Sequence, residues 1–343
     1  MVGVGPKRVG GMWTVAENYI TNEWFNQKVE LSYVATSTNG SLLTRSLCML
    51  WGYVQIFWKL LFAQIDIVHV HMAEKGSTFR KGKVAQWSKR FHKKVIIHLH
   101  AGPFMAWYAT LTPIKQKKVR EIFATADKVL VLGEYWKREL TAIIEPNKLE
   151  VLYNGVKCLD ENPYSLQSKD IVFFGVLKKE KGIYDLIDAI EILEPNLAPD
   201  IKVRLCGTDL EGNIPKYIRD KNLQERIIME GWVGSERKDQ VLRNAMISVL
   251  PSYFEGLSMT VIEAMAYGVP VVTTNISTMG EVLGEKSILV QPGNSLELAS
   301  VLRSFIEQND LRSQYSKAGF LRVQNYFSSE KNIEKTYQLY CKL

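Results

Sequence analysis

The chain has 343 residues, too many for one ordinary core and enough for two domains of roughly 150 residues. Hydrophobic residues make up 46% and charged residues 23%, a globular composition that excludes a disordered or fibrous chain. The formal charge of +7 is uneven: residues 1–165 hold 22 Lys and Arg against 13 Asp and Glu, and the remainder 21 against 23.

A basic half joined to a near-neutral half points to one domain facing an anionic surface or substrate. The four cysteines (Cys48, Cys158, Cys206 and Cys341) are scattered, with no C-x-x-C pair. That pattern fits reduced thiols in a cytoplasmic protein better than a disulfide framework. The opening MVGVGPKRVGG lacks the apolar core of a signal peptide.

In chain order, the first half offers strands at Met1–Gly5, Val29–Ala35, Ile65–His71, Lys94–Ala101, Lys128–Gly133 and Leu149–Tyr153. Helical patterns lie between them at Trp13–Trp24, Ser77–His92 and Thr112–Thr125. The aromatic-rich stretch Leu42–Phe62 holds 13 uncharged residues between Arg45 and Lys59. A bilayer crossing needs about 20, so this is expected to be a buried or interfacial helix. The second half repeats the scheme, with strands at Ile171–Gly175, Lys202–Cys206, Arg226–Met229, Ile247–Pro251, Pro270–Thr274 and Ser287–Val290.

Alternation of strand and helix argues for parallel sheets flanked by helices. Two such series predict two Rossmann-like doubly wound α/β domains across a cleft, with ligands beyond the carboxyl ends of the strands. The expected division is 1–160, 161–325 and a last helical segment, 326–343, returning to the first domain.

From Ile247 the sequence reads ISVLPSYFEGLSMTVIEAMAYGVPVVTT. A strand ends at Pro251, a loop carries Glu255 and Gly256, and a helix starts near Ser258, a fair N-cap. Gly268 and Pro270 stop it. The loop aims backbone N–H groups and a positive dipole end at one point, a place for a diphosphate. Glu255 and Glu263 are acceptors suited to sugar or ribose hydroxyls.

Glu-x7-Glu in this Gly, Pro and small-residue setting closely resembles the hallmark of retaining family 4 glycosyltransferases of the GT-B fold. The resemblance is strongest over Ile171–Gln308. It implies that Glu255 meets the donor sugar, Glu263 the ribose, and the backbone of Gly256, Leu257 and Ser258 the phosphates. FFGVLKKEKG at Phe173–Gly182 resembles the family's F-x-G-R-x-x-x-x-K-G. This assigns Lys181 to the diphosphate and puts Val176 where the family has arginine, with Lys178 or Lys179 as substitutes. Gly10 and Gly11 match the family's glycine-rich loop. Val233, in Gly231-Trp232-Val233, falls where the family's backbone holds the nucleobase, and His100 falls on the cleft histidine near the reacting centre.

All five histidines lie between His69 and His100. Alternate strand residues share a face, so a four-histidine metal site is conceivable. With no Asp, Glu or Cys clustered with them, a core or cleft role is the expectation and no metal is assigned. No Asp-x-Asp motif occurs, so a metal-bridged diphosphate is not expected.

The resemblance implies metal-independent transfer from a UDP- or GDP-linked sugar to a saccharide or lipid-linked acceptor, without a cofactor and with retained configuration. Cell-surface polysaccharide assembly on the cytoplasmic side of a membrane is the implied setting. A nucleotide-sugar-binding protein with little catalysis and a sugar-nucleotide epimerase are the rivals. Eight Lys or Arg between Lys75 and Lys94, with Lys115, Lys117, Lys118 and Arg120 beyond, read either as a solvated face or as docking on an anionic membrane. No nucleic-acid-binding module accompanies the charge, and no nucleic-acid partner is expected.

Overall fold

A computed structural model describes residues 1–6, 11–100, 102, 104–284 and 288–343. Gly10, Ala101 and Ser287 lie outside the described residues. The chain divides into two compact units, 1–155 with 329–343, and 156–328.

The first unit contains β1 (Val2–Gly3), β2 (Val34–Ala35), β3 (Ile67–Met72), β4 (Lys94–Leu99), β5 (Lys128–Val131) and β6 (Leu149–Val151). They form one parallel sheet in the order β2-β1-β3-β4-β5-β6. β3 and β4 are buried over nearly their whole length, as strands covered on both faces must be. The expected strand Val29–Ala35 shrinks to β2, because its only partner β1 is itself two residues long. The helix expected at Trp13–Trp24 is two helices, Gly11–Thr21 and Glu23–Lys28. Asn22 divides them: its side chain accepts from Phe25 N–H and caps the second. The helix Leu42–Phe62 is present as drawn from sequence, with Ser41 accepting from Thr44 N–H. No helix among the described residues is long and apolar enough to cross a membrane.

The second unit contains β7 (Asp170–Phe174), β8 (Lys202–Cys206), β9 (Ile227–Gly231), β10 (Ala245–Leu250), β11 (Val271–Thr274) and β12 (Leu289–Val290). Its sheet is also parallel, in the order β12-β11-β10-β7-β8-β9. Helix Ile183–Leu193 buries Ile183, Leu186, Ile187, Ala189, Ile190 and Leu193. That wide apolar stripe holds it on the sheet.

Strand order reverses between β7 and β10, so the loops leaving their carboxyl ends lie side by side at the switch point of the sheet. One glycine lets those loops close up, and a second brings the loop after β8 against the loop after β7. Gly182 has φ of +69°, and a Cβ there would stand 2.0 Å from the Pro251 carbonyl oxygen. A Cβ on Gly207 would stand 1.7 Å from the Gly175 oxygen. The left-handed backbone and the contact at Gly182 should act together. Gly182→Ala is expected to destabilise by more than about 1 kcal/mol. Gly212→Ala, with φ of +71° but no atom within 4 Å of its Cβ, should carry only the backbone term. Thermal unfolding of both variants is the check, and equal melting points would remove the contact from the account.

Candidate functional site

The loops after β7 and β10 carry the charged residues singled out by sequence. Lys181 Nζ donates to Glu255 Oε1 at 2.5 Å, and Ser252 Oγ donates to the same oxygen at 2.8 Å. The Glu255 side chain is only 9% exposed; a buried carboxylate requires such partners. Tyr253 N–H donates to the Glu180 carbonyl at 3.0 Å, joining the two loops through their backbones.

Hydroxyls from β11 and the turn beyond it fasten the second loop from behind. Thr273 donates to the Leu250 carbonyl at 2.7 Å, and Thr274 to that of Ser252. Ser277 donates to the Glu255 carbonyl at 2.8 Å, and Thr278 to that of Gly256 at 2.9 Å. The bonds from Ser277 and Thr278 fix where the carbonyls of the Glu255–Gly256 turn point, and so where the N–H groups that follow are aimed.

Leu257 and Ser258 are buried, and helix Met259–Ala266 begins immediately after them. Ser258 occupies the N-cap position without making a side-chain capping bond; its hydroxyl instead meets Thr260 Oγ1 at 3.1 Å. Gly268 ends the helix as expected, with φ of +67°. The helix places Glu263 half-buried, and its carboxylate is held by Lys238 Nζ. Lys238, from helix Ser235–Arg243, also stands 5.6 Å from the centre of the Phe174 ring. Phe174 is the last residue of β7, two positions before Val176.

Sequence reasoning missed Lys238, Ser252, Ser277 and Thr278. Ser252 and the two hydroxyls after β11 sit in or near the motif and were open to notice. Lys238 had no local signal, because it meets Glu263 through the fold. Of the two lysines named as stand-ins for the missing arginine, Lys178 pairs with Glu180 at 3.7 Å and Lys179 is exposed. Val233 is half-buried in the loop after β9, beside an exposed Trp232. Glu230, at the end of that strand, is bonded by Arg237 and Arg204, which hold its carboxyl below the usual range.

In the first unit, Gly11 opens helix Gly11–Thr21. His71 pairs in register with His98 across β3 and β4, and His69 shares their face. His100 Nε2 lies 2.9 Å from His71 Nδ1. His69, His71 and His98 are 1% exposed, and burial pushes the pKa of His98 down to about 3 and those of His69, His71 and His100 well below the ordinary value. These rings are neutral at physiological pH. His69, His71 and His98 each offer a ligand nitrogen within 4.8 Å of the others.

The basic run differs from expectation at one position. Lys81 is 3% exposed and donates to the His71 carbonyl at 2.7 Å. It lies on the buried Thr78–Lys81–Gly82–Ala85–Ser88 face of helix Gly76–Arg90 and is no part of an external surface. Lys75, Lys83, Arg90, Lys94, Lys115, Lys117, Lys118 and Arg120 are exposed.

Comparison with known proteins shows the family and the fold. Capsular polysaccharide biosynthesis glycosyltransferase CapM of Staphylococcus aureus is 26% identical over 253 residues, 67% of this chain and 60% of that one. The UDP-Gal:alpha-D-GlcNAc-diphosphoundecaprenol alpha-1,3-galactosyltransferase of Escherichia coli is 26% identical over 293 residues, 74% of this chain and 68% of its own. Among solved structures, Anabaena HepE in complex with UDP superposes with a TM-score of 0.77 at 16% identity, over 100% of this chain and 99% of HepE; the likeness is one of fold. Residues 25–158 match the family described as Glycosyltransferase Family 4 and residues 160–322 the family described as Glycosyl transferases group 1, so that nearly all of the chain, including both loops of the switch point, is accounted for and the chain belongs to the glycosyltransferases.

Proposed function

We propose that the second unit binds a nucleotide-sugar donor at the β7–β10 switch point and that the chain transfers its sugar, with retention of configuration, to a saccharide or lipid-linked acceptor. The observation that carries this reading is the pairing of Glu255 with Lys181 beside the helix that presents Glu263. In the proposed complex Lys181 turns toward the diphosphate, and Glu255 is left to accept from sugar hydroxyls. Glu263 accepts from the ribose, while the backbone at Gly256, Leu257 and Ser258 donates to phosphate oxygens. Lys238, drawn toward Glu263 and Phe174, takes over part of the charge that an arginine at Val176 would supply. Val233 borders the base. The capsular and diphosphoundecaprenol-dependent relatives support surface-polysaccharide assembly on a lipid-linked acceptor, and the proposal places this at the cytoplasmic face of a membrane. A UDP-linked donor fits both the E. coli relative and the HepE complex; the GDP-linked alternative is decided by the same assay.

Glu263→Ala is expected to weaken donor binding about 10–100-fold through a lost charged hydrogen bond. Glu255→Ala should lower turnover by about a hundredfold with less effect on donor affinity. Steady-state kinetics over a panel of UDP- and GDP-sugars measures both, and proton NMR of the product reads the anomeric configuration. Wild-type constants in either variant would exclude that residue, and an inverted product would exclude retention.

The diphosphate charge is carried by lysines and backbone, so transfer should proceed in brief EDTA and gain nothing from added Mg2+ or Mn2+. A requirement for either ion would defeat the metal-independent reading.

Membrane attachment has its own support in the first unit. Helix Leu42–Phe62 buries only Gly52, Ile56 and Leu60. Leu43, Leu47, Trp51, Val54, Trp58 and Phe62 are all more than half exposed, a face far larger than scattered apolar residues make. Tyr53 and Phe57 pack on Trp87 of the basic helix, which sets this face beside exposed Lys83 and Arg90. An apolar face flanked by cations fits the interface of an anionic bilayer. Sedimentation with anionic vesicles should show binding that weakens, without vanishing, as salt rises. Trp51→Ser with Trp58→Ser should abolish the salt-resistant part, and Lys83→Glu with Lys117→Glu the salt-sensitive part. Equal binding to neutral and anionic vesicles would remove the electrostatic component, and concentration-dependent dimers without vesicle binding would assign the face to a second copy.

A further inference from the structure

The imidazoles of the first unit form a cluster that the donor chemistry does not use. Their ring centroids lie 4.8 Å apart for His69 and His71, 5.4 Å for His69 and His98, and 5.3 Å for His71 and His98. The outward nitrogens are engaged: His69 Nδ1 meets the Tyr340 hydroxyl at 2.7 Å, and His71 Nδ1 meets His100 Nε2 at 2.9 Å. The remaining ones are not. Nε2 of His69, Nε2 of His71 and both nitrogens of His98 are buried without a hydrogen-bond partner. A neutral imidazole carries a lone pair on one of its nitrogens, so each of these three buried rings has one to offer, and the His69 and His71 rings lie stacked at 8° to each other.

We propose that His69, His71 and His98 bind one divalent transition-metal ion, zinc or a close congener, within the first unit. Three observations converge on it. First, imidazole is the ligand these ions favour, and three histidines with one further position is an established zinc arrangement. Second, ligation through Nε2 leaves the proton on Nδ1, and a ligating histidine almost always donates that proton to an outer partner. His69 and His71 each have such a partner at Nδ1, in Tyr340 and His100. Third, the candidate ligand atoms lie within 4.8 Å of one another. A tetrahedral ion with metal–nitrogen bonds of about 2.0–2.1 Å needs them about 3.3 Å apart, so binding requires the stacked His69 and His71 rings to turn until their in-plane lone pairs meet at one point.

The buried Lys81 adds positive charge near His71 and His100, so the fourth position is suited to an anionic oxygen from solution. Ligation would also fix His100: accepting from His71 Nδ1–H, its Nε2 must be unprotonated and its own proton must sit on Nδ1. The ion sits on residues that the diphosphate chemistry does not require, and its link to the donor reading is the contact of His71 with His100.

The test uses the full chain, stripped by prolonged dialysis against a chelator and titrated with Co2+ while visible absorption is followed. About one equivalent should bind with the intense bands of four-coordinate cobalt, and Zn2+ should displace it. His98→Gln should abolish those bands, whereas His92→Asn, at the remaining, exposed histidine, should leave them unchanged. Tyr340→Phe should keep the fold and weaken binding about 10–100-fold, the usual effect of losing an outer-shell partner. A wild-type chain that binds less than about a tenth of an equivalent, or gives only the weak spectrum of six-coordinate cobalt, overturns the proposal. If His98→Gln fails to fold, Tyr340→Phe decides: unchanged cobalt affinity in that variant overturns it as well.

Discussion

The close approach of Gly182 to the Pro251 carbonyl is the constraint on which the second unit's site depends. It brings the loop after β7 against the loop after β10 at the one place where a parallel sheet reverses its order. Only a residue without Cβ fits there, and only a left-handed residue turns the chain from Lys181 into helix Ile183–Leu193. Once that turn is made, Lys181 reaches Glu255, and the partly buried carboxylate has the cation that its burial requires. The hydroxyls of Thr273, Thr274, Ser277 and Thr278 then hold the second loop against its own strand edge. A backbone so fixed presents its N–H groups without having to reorganise, which is what makes such donors effective toward developing charge.

The two units apply one architecture to opposite electrostatics. In the second, the carboxyl ends of the central strands present ion pairs. In the first, the corresponding ends of β3 and β4 present neutral imidazoles, and the charge has moved outward to the exposed lysines of helices Gly76–Arg90 and Pro113–Ala124. Lys81 is the exception, tied to the His71 carbonyl inside. A net count of charge therefore describes the outside of the first unit and says nothing about the polar interior beneath it.

Most of the architecture was legible in the sequence because buried parallel strands read as short β-branched runs and their helices as amphipathic ones. Helix Leu42–Phe62 could be bounded from its polar flanks, and Glu255 and Glu263 from a motif whose glycine and proline spacing encodes loop, helix and stop. What failed was governed by partners distant in sequence. Val29–Leu31 has strand composition, yet β1 is too short to pair with it. The end of the Trp13–Trp24 pattern was set by one capping asparagine. Lys81 did carry a signal, since Thr78, Gly82, Ala85 and Ser88 share its helical face as small residues, but a run of lysines drew attention to charge instead of spacing. Lys238 had none: only the packing of helix Ser235–Arg243 against helix Met259–Ala266 brings it to Glu263.

That last contact bears on the valine at position 176. Lys181 with Glu255 and Lys238 with Glu263 make a set of side chains that is neutral as a whole. In the proposed donor complex a diphosphate entering between them would add negative charge beyond that balance, because the side chain at 176 is apolar and Lys178 pairs with Glu180. Two sources of compensation remain. Each lysine can shift from its carboxylate to the phosphates while sugar or ribose hydroxyls satisfy the glutamate, so the exchange succeeds only when a hydroxyl-bearing ligand occupies both carboxylates. The other is the start of helix Met259–Ala266, where the Ser258 hydroxyl makes no capping bond and the backbone donors are left for an anion. Binding built in the proposed way would favour a complete nucleotide sugar over a free diphosphate more strongly than a site with a spare arginine, since the sugar and the ribose would be what releases the lysines.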